Sequence, residues 1–304
     1  MAAQLRLVRG RIRAVQSIAK ITRAQELIAS SRIVRAQQRM RAAEPYAREL
    51  TRAVEAVISR SAASVQHPLT TEPEHPSRAA VLILTSDQGF AGAYNANALR
   101  ESARLRELLA QRGVQPALYV AGRKGIAWHR FRELDMAETW SGFSAAPSYA
   151  DARAITTALL EAFRGDGGAD GVDEIHLVGT EFVSMLTQRP RAVRLLPLQI
   201  EETTEPPPSG PLPQYEFEPS PEAVLDALLP QYVASRIYYA MLEAAASELA
   251  ARRRAMKAAT DNANDLIETL TREANNARQA EITQEISEIV GGANALAAAS
   301  ATNQ

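Results

Sequence analysis

Cysteine is missing altogether from this chain of 304 residues, which excludes both a disulfide framework and a thiolate nucleophile. Long apolar runs are missing too. Stretches such as Val81–Leu84 fall far short of the ~18 residues needed to cross a bilayer. Arg6, Arg9, Arg11 and Arg13 break up the beginning of the chain, so it has no apolar stretch of the signal-peptide kind. The expectation is a cytosolic protein, or one held at a membrane only through partners. Nucleotide motifs are absent: there is no G-x-x-x-x-G-K-[ST] and no G-x-G-x-x-G. The four histidines (His67, His75, His129 and His176) are scattered, with no H-E-x-x-H, and no G-x-S-x-G elbow occurs. Nothing here assembles a catalytic set, a metal site or a cofactor site, and none is expected.

What the chain does have is two very long helical patterns, one at each end. From Leu242 an apolar or small residue recurs in 3–4 alternation through Ala245, Leu249, Met256, Ala259, Ala263, Leu266 and Leu270, interrupted only by Arg252. The first segment carries its own series in Leu5, Val8, Ile12 and Val15, continued in Ile18, Ile21 and Ile28. Such heptad seams wrap one helix on another. A helix of roughly 55 residues runs about 80 Å, which suits a lever or a shaft. Charge supports the pairing of the two ends. Residues 1–60 hold 13 Lys/Arg against 4 Asp/Glu, a balance of +9, and residues 220–304 hold 7 against 11, a balance of −4. Exposed ion pairs are worth only about 0.2–1 kcal/mol each, so the seam supplies most of the strength and the charges favour the partner choice.

Between the ends lies a compact α/β pattern. Ala79–Thr85 is a continuous apolar run, the mark of a buried strand. A helix over Asn97–Arg112, a strand over Ala117–Val120 and a short helix over Lys124–Leu134 follow. Ser148 caps a helix over Ala150–Phe163, and Glu174–Gly179 reads as a strand. Thr180–Leu186 and Ala192–Leu198 form a hairpin with Gln188-Arg189-Pro190 at or near its turn. The fold class is α/β: a long antiparallel coiled coil of the N- and C-terminal helices, with an inserted Rossmann-like α/β domain holding a mostly parallel sheet. The boundaries are a coiled-coil helix over 1–60, a linker over 61–78 around His67–Pro76, the globular domain over 79–200, a Pro-rich linker over 201–219 around Pro206–Pro213, a second coiled-coil helix over 220–295 and a tail over 296–304. Pro45 and Pro230 should kink or break their helices. Gly291 and Gly292 offer a stop.

Two local features invite ligand readings. Ser86-Asp87-Gln88-Gly89-Phe90-Ala91-Gly92 follows the first strand at its carboxyl end, where open α/β sheets bind ligands. A nucleotide-dependent enzyme using this 86–92 turn is one reading, and a structural strand-to-helix turn is the stronger one. Gly122-Arg123-Lys124-Gly125 is either an anion nest or a helix start. The basic first segment supports a further alternative, a nucleic-acid-binding coiled-coil protein. Its single aromatic, Tyr46, offers little surface for stacking bases.

The run Ile282-Thr283-Gln284-Glu285-Ile286-Ser287-Glu288-Ile289-Val290-Gly291-Gly292-Ala293-Asn294-Ala295 resembles the C-terminal signature of the gamma subunits of F-type ATP synthases, matching at Ile282, Thr283, Glu285, Glu288, Gly292 and Ala293. Arg11-Ile12 through Lys20-Ile21-Thr22-Arg23-Ala24 is similar to that family's N-terminal stretch, and Ser86-Asp87 with Gly89, Gly92 and Asn95 to its third block. The likeness covers essentially the whole chain. Gln25 and Gln88 stand where many members have methionine and arginine, and Gln25 with Glu26-Leu27-Ile28 resembles actinobacterial members.

The resemblance implies a central rotor shaft that couples proton-driven rotation to conformational cycling of the catalytic beta subunits for ATP synthesis, and that is not itself catalytic. It implies alpha and beta subunits as a surrounding hexamer, an epsilon subunit and a c-subunit ring as partners, and one copy per complex. It implies no nucleic-acid partner, and a place at the cytoplasmic face of the cell membrane reached only through partners. By the same resemblance Arg278 and Gln279 grip a loop of one beta subunit, while Lys20 and Arg23 face acidic beta loops.

Overall fold

The computed structural model describes residues 2–61, 73–165, 171–198, 218 and 220–302. The Pro206–Pro213 linker, His67 and the end of the tail lie outside the described residues. In chain order the elements are α1 (Ala2–Ser61), β1 (Arg78–Leu84), α2 (Tyr94–Gln111), β2 (Gln115–Ala121), α3 (Arg123–Phe131), β3 (Glu138–Trp140), α4 (Tyr149–Arg164), β4 (Glu174–Phe182), β5 (Gln188–Leu196) and α5 (Pro221–Thr302). They divide into two compact units, one holding Met1–Ile28 with Arg253–Gln304 and the other Ala29–Arg252.

The α/β unit is organised by one sheet of order β3-β2-β1-β4-β5. β3, β2, β1 and β4 run parallel and β5 is antiparallel to β4. β1 is buried on both faces, as its unbroken apolar run requires. Because strand side chains alternate, Ala79, Val81 and Ile83 meet Leu105 and Leu109 of α2 and Ile126 of α3. On the other face Ala80, Leu82 and Leu84 meet Ile155 and Leu159 of α4. Leu225, Leu229, Val233 and Ile237 of α5 join that second face, with Val54 and Val57 of α1. Side chains buried this completely contribute about 1.5–3 kcal/mol each. The first half of α5 is thus part of the sheet's core.

Ser148 caps α4 as expected, in a reciprocal capping box with Asp151. Gln188-Arg189-Pro190 lies next to the hairpin turn, at the start of β5, with Thr180 opposite Pro190 and Phe182 opposite Gln188. Residues 183–187 make the turn, where Ser184 Oγ accepts from the amides of Leu186 and Thr187. Pro190 is tolerated because β5 is an edge strand. β3 has no counterpart in the sequence reading. Its three residues carry no apolar run, and Trp140 is held by stacking on Tyr119 at 6.2 Å.

Neither proline ends its helix: Pro45 lies inside α1 and Pro230 inside α5. Burial of Leu50, Val54 and Val57 beyond Pro45 outweighs the ~3 kcal/mol that a helix proline costs. Gly291 and Gly292 do not stop α5 either. Each costs about 1 kcal/mol, and the alanine-rich stretch beyond them favours helix.

The antiparallel pairing of the two long helices is present within each unit. In one, Leu5 and Val8 pack with Leu270 and Ala274, and the Thr22 and Thr260 hydroxyls bond at 2.7 Å. In the other, Ile33 and Ala36 pack with Ala246, Leu249 and Ala250. The seams differ from the expected series. After Val15, α1 turns inward Ala19, Thr22, Glu26 and Ala29, while Ile18, Ile21 and Ile28 are exposed. In α5, Thr260 and Ile267 take the places expected of Ala259 and Leu266, and Leu266 is exposed. In α1 an unbroken alternation of four and three residues, which the supercoil demands, decides these positions over residue size; in α5 both series alternate, and the buried one differs by a single residue at two positions.

Candidate functional site

In open α/β sheets, ligands bind outside the carboxyl ends of the strands where strand order reverses. Here that point lies between β1 and β4, and the turn 86–92 stands at the end of β1. The turn is built to hold its own shape. Ser86 donates its amide to Asn95 Oδ1 (2.9 Å) and its hydroxyl to the Gln88 carbonyl (2.7 Å). Asp87 Oδ2 accepts from the amides of Gly142 (2.8 Å) and Ser144 (3.0 Å), and Oδ1 from the amide of Arg123 (3.1 Å). Burial pushes the Asp87 pKa up, but these amides and the Arg123 charge outweigh it and hold the carboxyl below its ordinary value. The stretch Gly122–Gly125 therefore begins a helix, and the anion that meets it is the chain's own Asp87.

No room is left for a nucleotide at this point. Helix α5 closes the crevice: Ala251 packs with Ala91 and Tyr94, and Ser247 Oγ donates to the Thr180 carbonyl (3.2 Å). Arg252 Nη2 donates to the carbonyls of Gln88 (3.2 Å) and Gly89 (3.4 Å). Met241 and Ala244, with Thr85, Gly122 and Ser144, line a cleft of about 20 Å³. That holds about one water, whereas small-molecule sites take roughly 300 Å³ or more. We expect the isolated chain not to bind ATP; stoichiometric binding at micromolar affinity by titration calorimetry would contradict this.

The residues singled out as partner contacts lie in the unit of Met1–Ile28 and Arg253–Gln304. Lys20 is exposed. Arg23 is exposed and donates to the buried Glu26 carboxylate at 2.8 Å, so it is partly committed within its own helix. Arg278 and Gln279 are exposed on α5, and the Gln279 carbonyl accepts from Thr283 Oγ1 at 2.9 Å. The structure does not gather the four into one cluster. Thr22 pairs with Thr260, which sets Lys20 and Arg23 roughly 15–18 residues of α5, about 25 Å, from Arg278.

Beyond Ala277 every signature residue is exposed: Ile282, Thr283, Glu285, Glu288, Gly292 and Ala293. Ile282, Ile286, Ile289 and Val290 are 45%, 56%, 71% and 53% exposed. At spacings of four and three from Ile282 to Ile289 they form an apolar stripe of their own, five residues beyond Ala277 and out of phase with the seam, with nothing against them among the described residues. The packed seam thus ends near Ala277 in one unit, while in the other α1 packs as far as Val57. Gln25 and Gln88 are exposed. Gln88 is held through its carbonyl, so the side chain there is free to vary. Sequence reasoning missed Arg252, whose only visible signal was its interruption of an apolar series.

Residues 4–296 match the family model described as ATP synthase. A curated relative from Acidothermus cellulolyticus, an ATP synthase gamma chain, is 62% identical over 98% of this chain and 99% of its own. Another of the same name, from Thermobifida fusca, is 59% identical over the full length of both. Among solved structures, the rotor of the Euglena gracilis mitochondrial ATP synthase matches with a TM-score of 0.64 at 16% identity, covering 93% of this chain and 100% of that one. The Tetrahymena thermophila central stalk and c-ring matches at 0.57 and 21% identity, covering 79% and 99%.

Proposed function

The chain belongs to the ATP synthase gamma-chain family, and on that premise we propose that it works as the central rotor shaft, itself without catalytic activity. It couples proton-driven rotation to the conformational cycling of catalytic beta subunits. Family membership displaces the nucleic-acid and nucleotide-enzyme readings. In the proposal, one copy stands inside a hexamer of alpha and beta subunits, with the α/β unit contacting an epsilon subunit and a c-subunit ring. No described helix is long and apolar enough to cross a membrane; attachment to the cytoplasmic face of the membrane would run through those partners.

The observation that carries this reading is the bare end of α5. Four large apolar side chains, Ile282, Ile286, Ile289 and Val290, are offered to solvent within three turns. A contiguous exposed apolar face marks a surface that another protein covers. Arg278 and Gln279 stand at the base of that face, long and polar, where each can reach a carbonyl or carboxylate of an enclosing beta loop. Lys20 and Arg23 offer positive charge to acidic beta loops further along.

The test is ATP turnover of reconstituted complexes matched for subunit content. Arg278→Ala with Gln279→Ala should preserve the helix, since alanine is a better helix former than either. Charged hydrogen bonds in water-poor surroundings contribute about 1.5–3 kcal/mol, so a contact made only at some rotary angles should cost roughly tenfold or more in turnover. Wild-type turnover in the double variant would remove these residues from the coupling surface.

A further inference from the structure

Arg252 and Glu248 are 5% and 1% exposed, and they form an ion pair of 2.7 Å one turn apart on α5. A buried pair of this kind is not explained by stability, because apolar residues of similar volume are usually at least as favourable. Its geometry suggests another use. Arg252 Nη2 reaches Glu248 Oε1 on one side and the carbonyls of Gln88 (3.2 Å) and Gly89 (3.4 Å) on the other, and Nε reaches Gly89 again at 3.4 Å. The guanidinium can face both carbonyls only in one orientation, and the Glu248 carboxylate supplies it.

We propose that Glu248 is a positioning residue that holds Arg252 across the 86–92 turn, forming a latch that resists sliding and twisting of α5 against the α/β unit. The proposal rests on the rotor reading and adds to it the place where torque enters the sheet. Three features support the assignment. The turn is itself rigid, braced by Ser86, Asn95 and the Asp87 carboxylate, so a force applied to its carbonyls is passed to β1. Arg252 is the last residue of the α/β unit, and α5 continues beyond it into the other unit. The neighbouring contact of Ala251 with Ala91 and Tyr94 is apolar. Apolar contact opposes separation but has little directional preference, whereas hydrogen bonds weaken steeply when misaligned. The Arg252 contacts are directional and, with the Ser247 hydroxyl bond to the Thr180 carbonyl, oppose rotation of the helix about its own axis here.

The experiment uses complexes reconstituted in proteoliposomes and matched for subunit content, with ATP hydrolysis and ATP-driven proton pumping measured on the same vesicles. Glu248→Gln keeps the shape and an acceptor but removes the charge that orients the guanidinium. Arg252→Lys keeps the charge but loses the fork. Both are expected to hydrolyse ATP within about twofold of wild type while the protons pumped per ATP fall by about threefold. A purely structural role would lower both activities together. The chain has no cysteine of its own, so Gln88→Cys with Arg252→Cys can be joined by a short bis-maleimide crosslinker, each thiol adding across one maleimide double bond. That joint should restore the pumping ratio, and omitting the crosslinker should not. Wild-type ratios in both single variants would overturn the latch while leaving the rotor reading intact. Failure of the unaltered chain to assemble would strike the rotor reading, and the latch with it.

Discussion

Replacing Gly122 with alanine is expected to unfold the α/β unit. Gly122 sits at φ 105°, in the left-handed region that side chains rarely adopt. A Cβ added there would lie 2.2 Å from the Thr85 carbonyl oxygen and 2.5 Å from its carbonyl carbon. Those are backbone atoms of the segment leaving β1, and they cannot step aside. The Thr85 amide donates to Ala121 (2.8 Å) and the Gly122 amide to Trp140 (2.8 Å), so any shift breaks the ladder joining β1, β2 and β3. Backbone strain and steric overlap together should cost about 4 kcal/mol or more. The comparison is Gly113→Ala. Gly113 also has a positive φ, 77°, but nothing lies within 4 Å of its added Cβ, so only the conformational cost of about 1–2 kcal/mol remains. Thermal denaturation followed by circular dichroism should separate the two widely. Equal melting temperatures would mean that the close approach at Thr85 is not a constraint.

Substitution of Asp87 should be nearly as damaging, and asparagine should rescue little of it. The carboxylate uses both oxygens: Oδ1 for the Arg123 amide and Oδ2 for those of Gly142 and Ser144. An amide has one acceptor oxygen, so its NH₂ would point at one of the two sets of donors. Some of these donors are partly exposed, which tempers the loss; we expect about 2–4 kcal/mol for Asp87→Ala and slightly less for Asp87→Asn. The pH dependence has a definite sign. The Asp87 pKa is lowered in the fold from an ordinary 3.8, so its stabilisation is present above that ordinary value. It is lost as pH falls through the lower folded value. Urea melts between pH 7 and pH 3 should converge for wild type and Asp87→Ala at the acid end. A stability gap unchanged by acid would contradict the assignment.

The sheet was legible where burial leaves continuous apolar runs: β1, β2 and the start of β4 are buried on both faces, so composition alone marks them. β3 was not, since Glu138-Thr139-Trp140 is a three-residue edge with no run to recognise. The pairing of the two ends was legible from the heptads and charge, but the seam was placed wrongly after Val15. Three isoleucines, Ile18, Ile21 and Ile28, attracted the reading, whereas the supercoil keeps a fixed rhythm and accepts Thr22 and even Glu26 on it. The contact residues on α5 came from likeness to a family. Nothing in their spacing distinguishes a gripping arginine from a solvated one. The Arg252 grip was hidden because its acceptors are backbone carbonyls, which no sequence pattern displays.

The division of the chain into Met1–Ile28 with Arg253–Gln304, and Ala29–Arg252, also dictates an order of events during synthesis. Leu5 and Val8 are covered by Leu270 and Ala274, so these helical turns leave the ribosome long before those partners exist. At roughly 5–20 residues per second, this apolar edge stays bare for on the order of ten seconds or more while the α/β unit is made and folds. The last unit to form therefore contains residues translated before the whole α/β unit. A nascent chain of this kind places a demand on chaperones that a protein with locally paired helices does not.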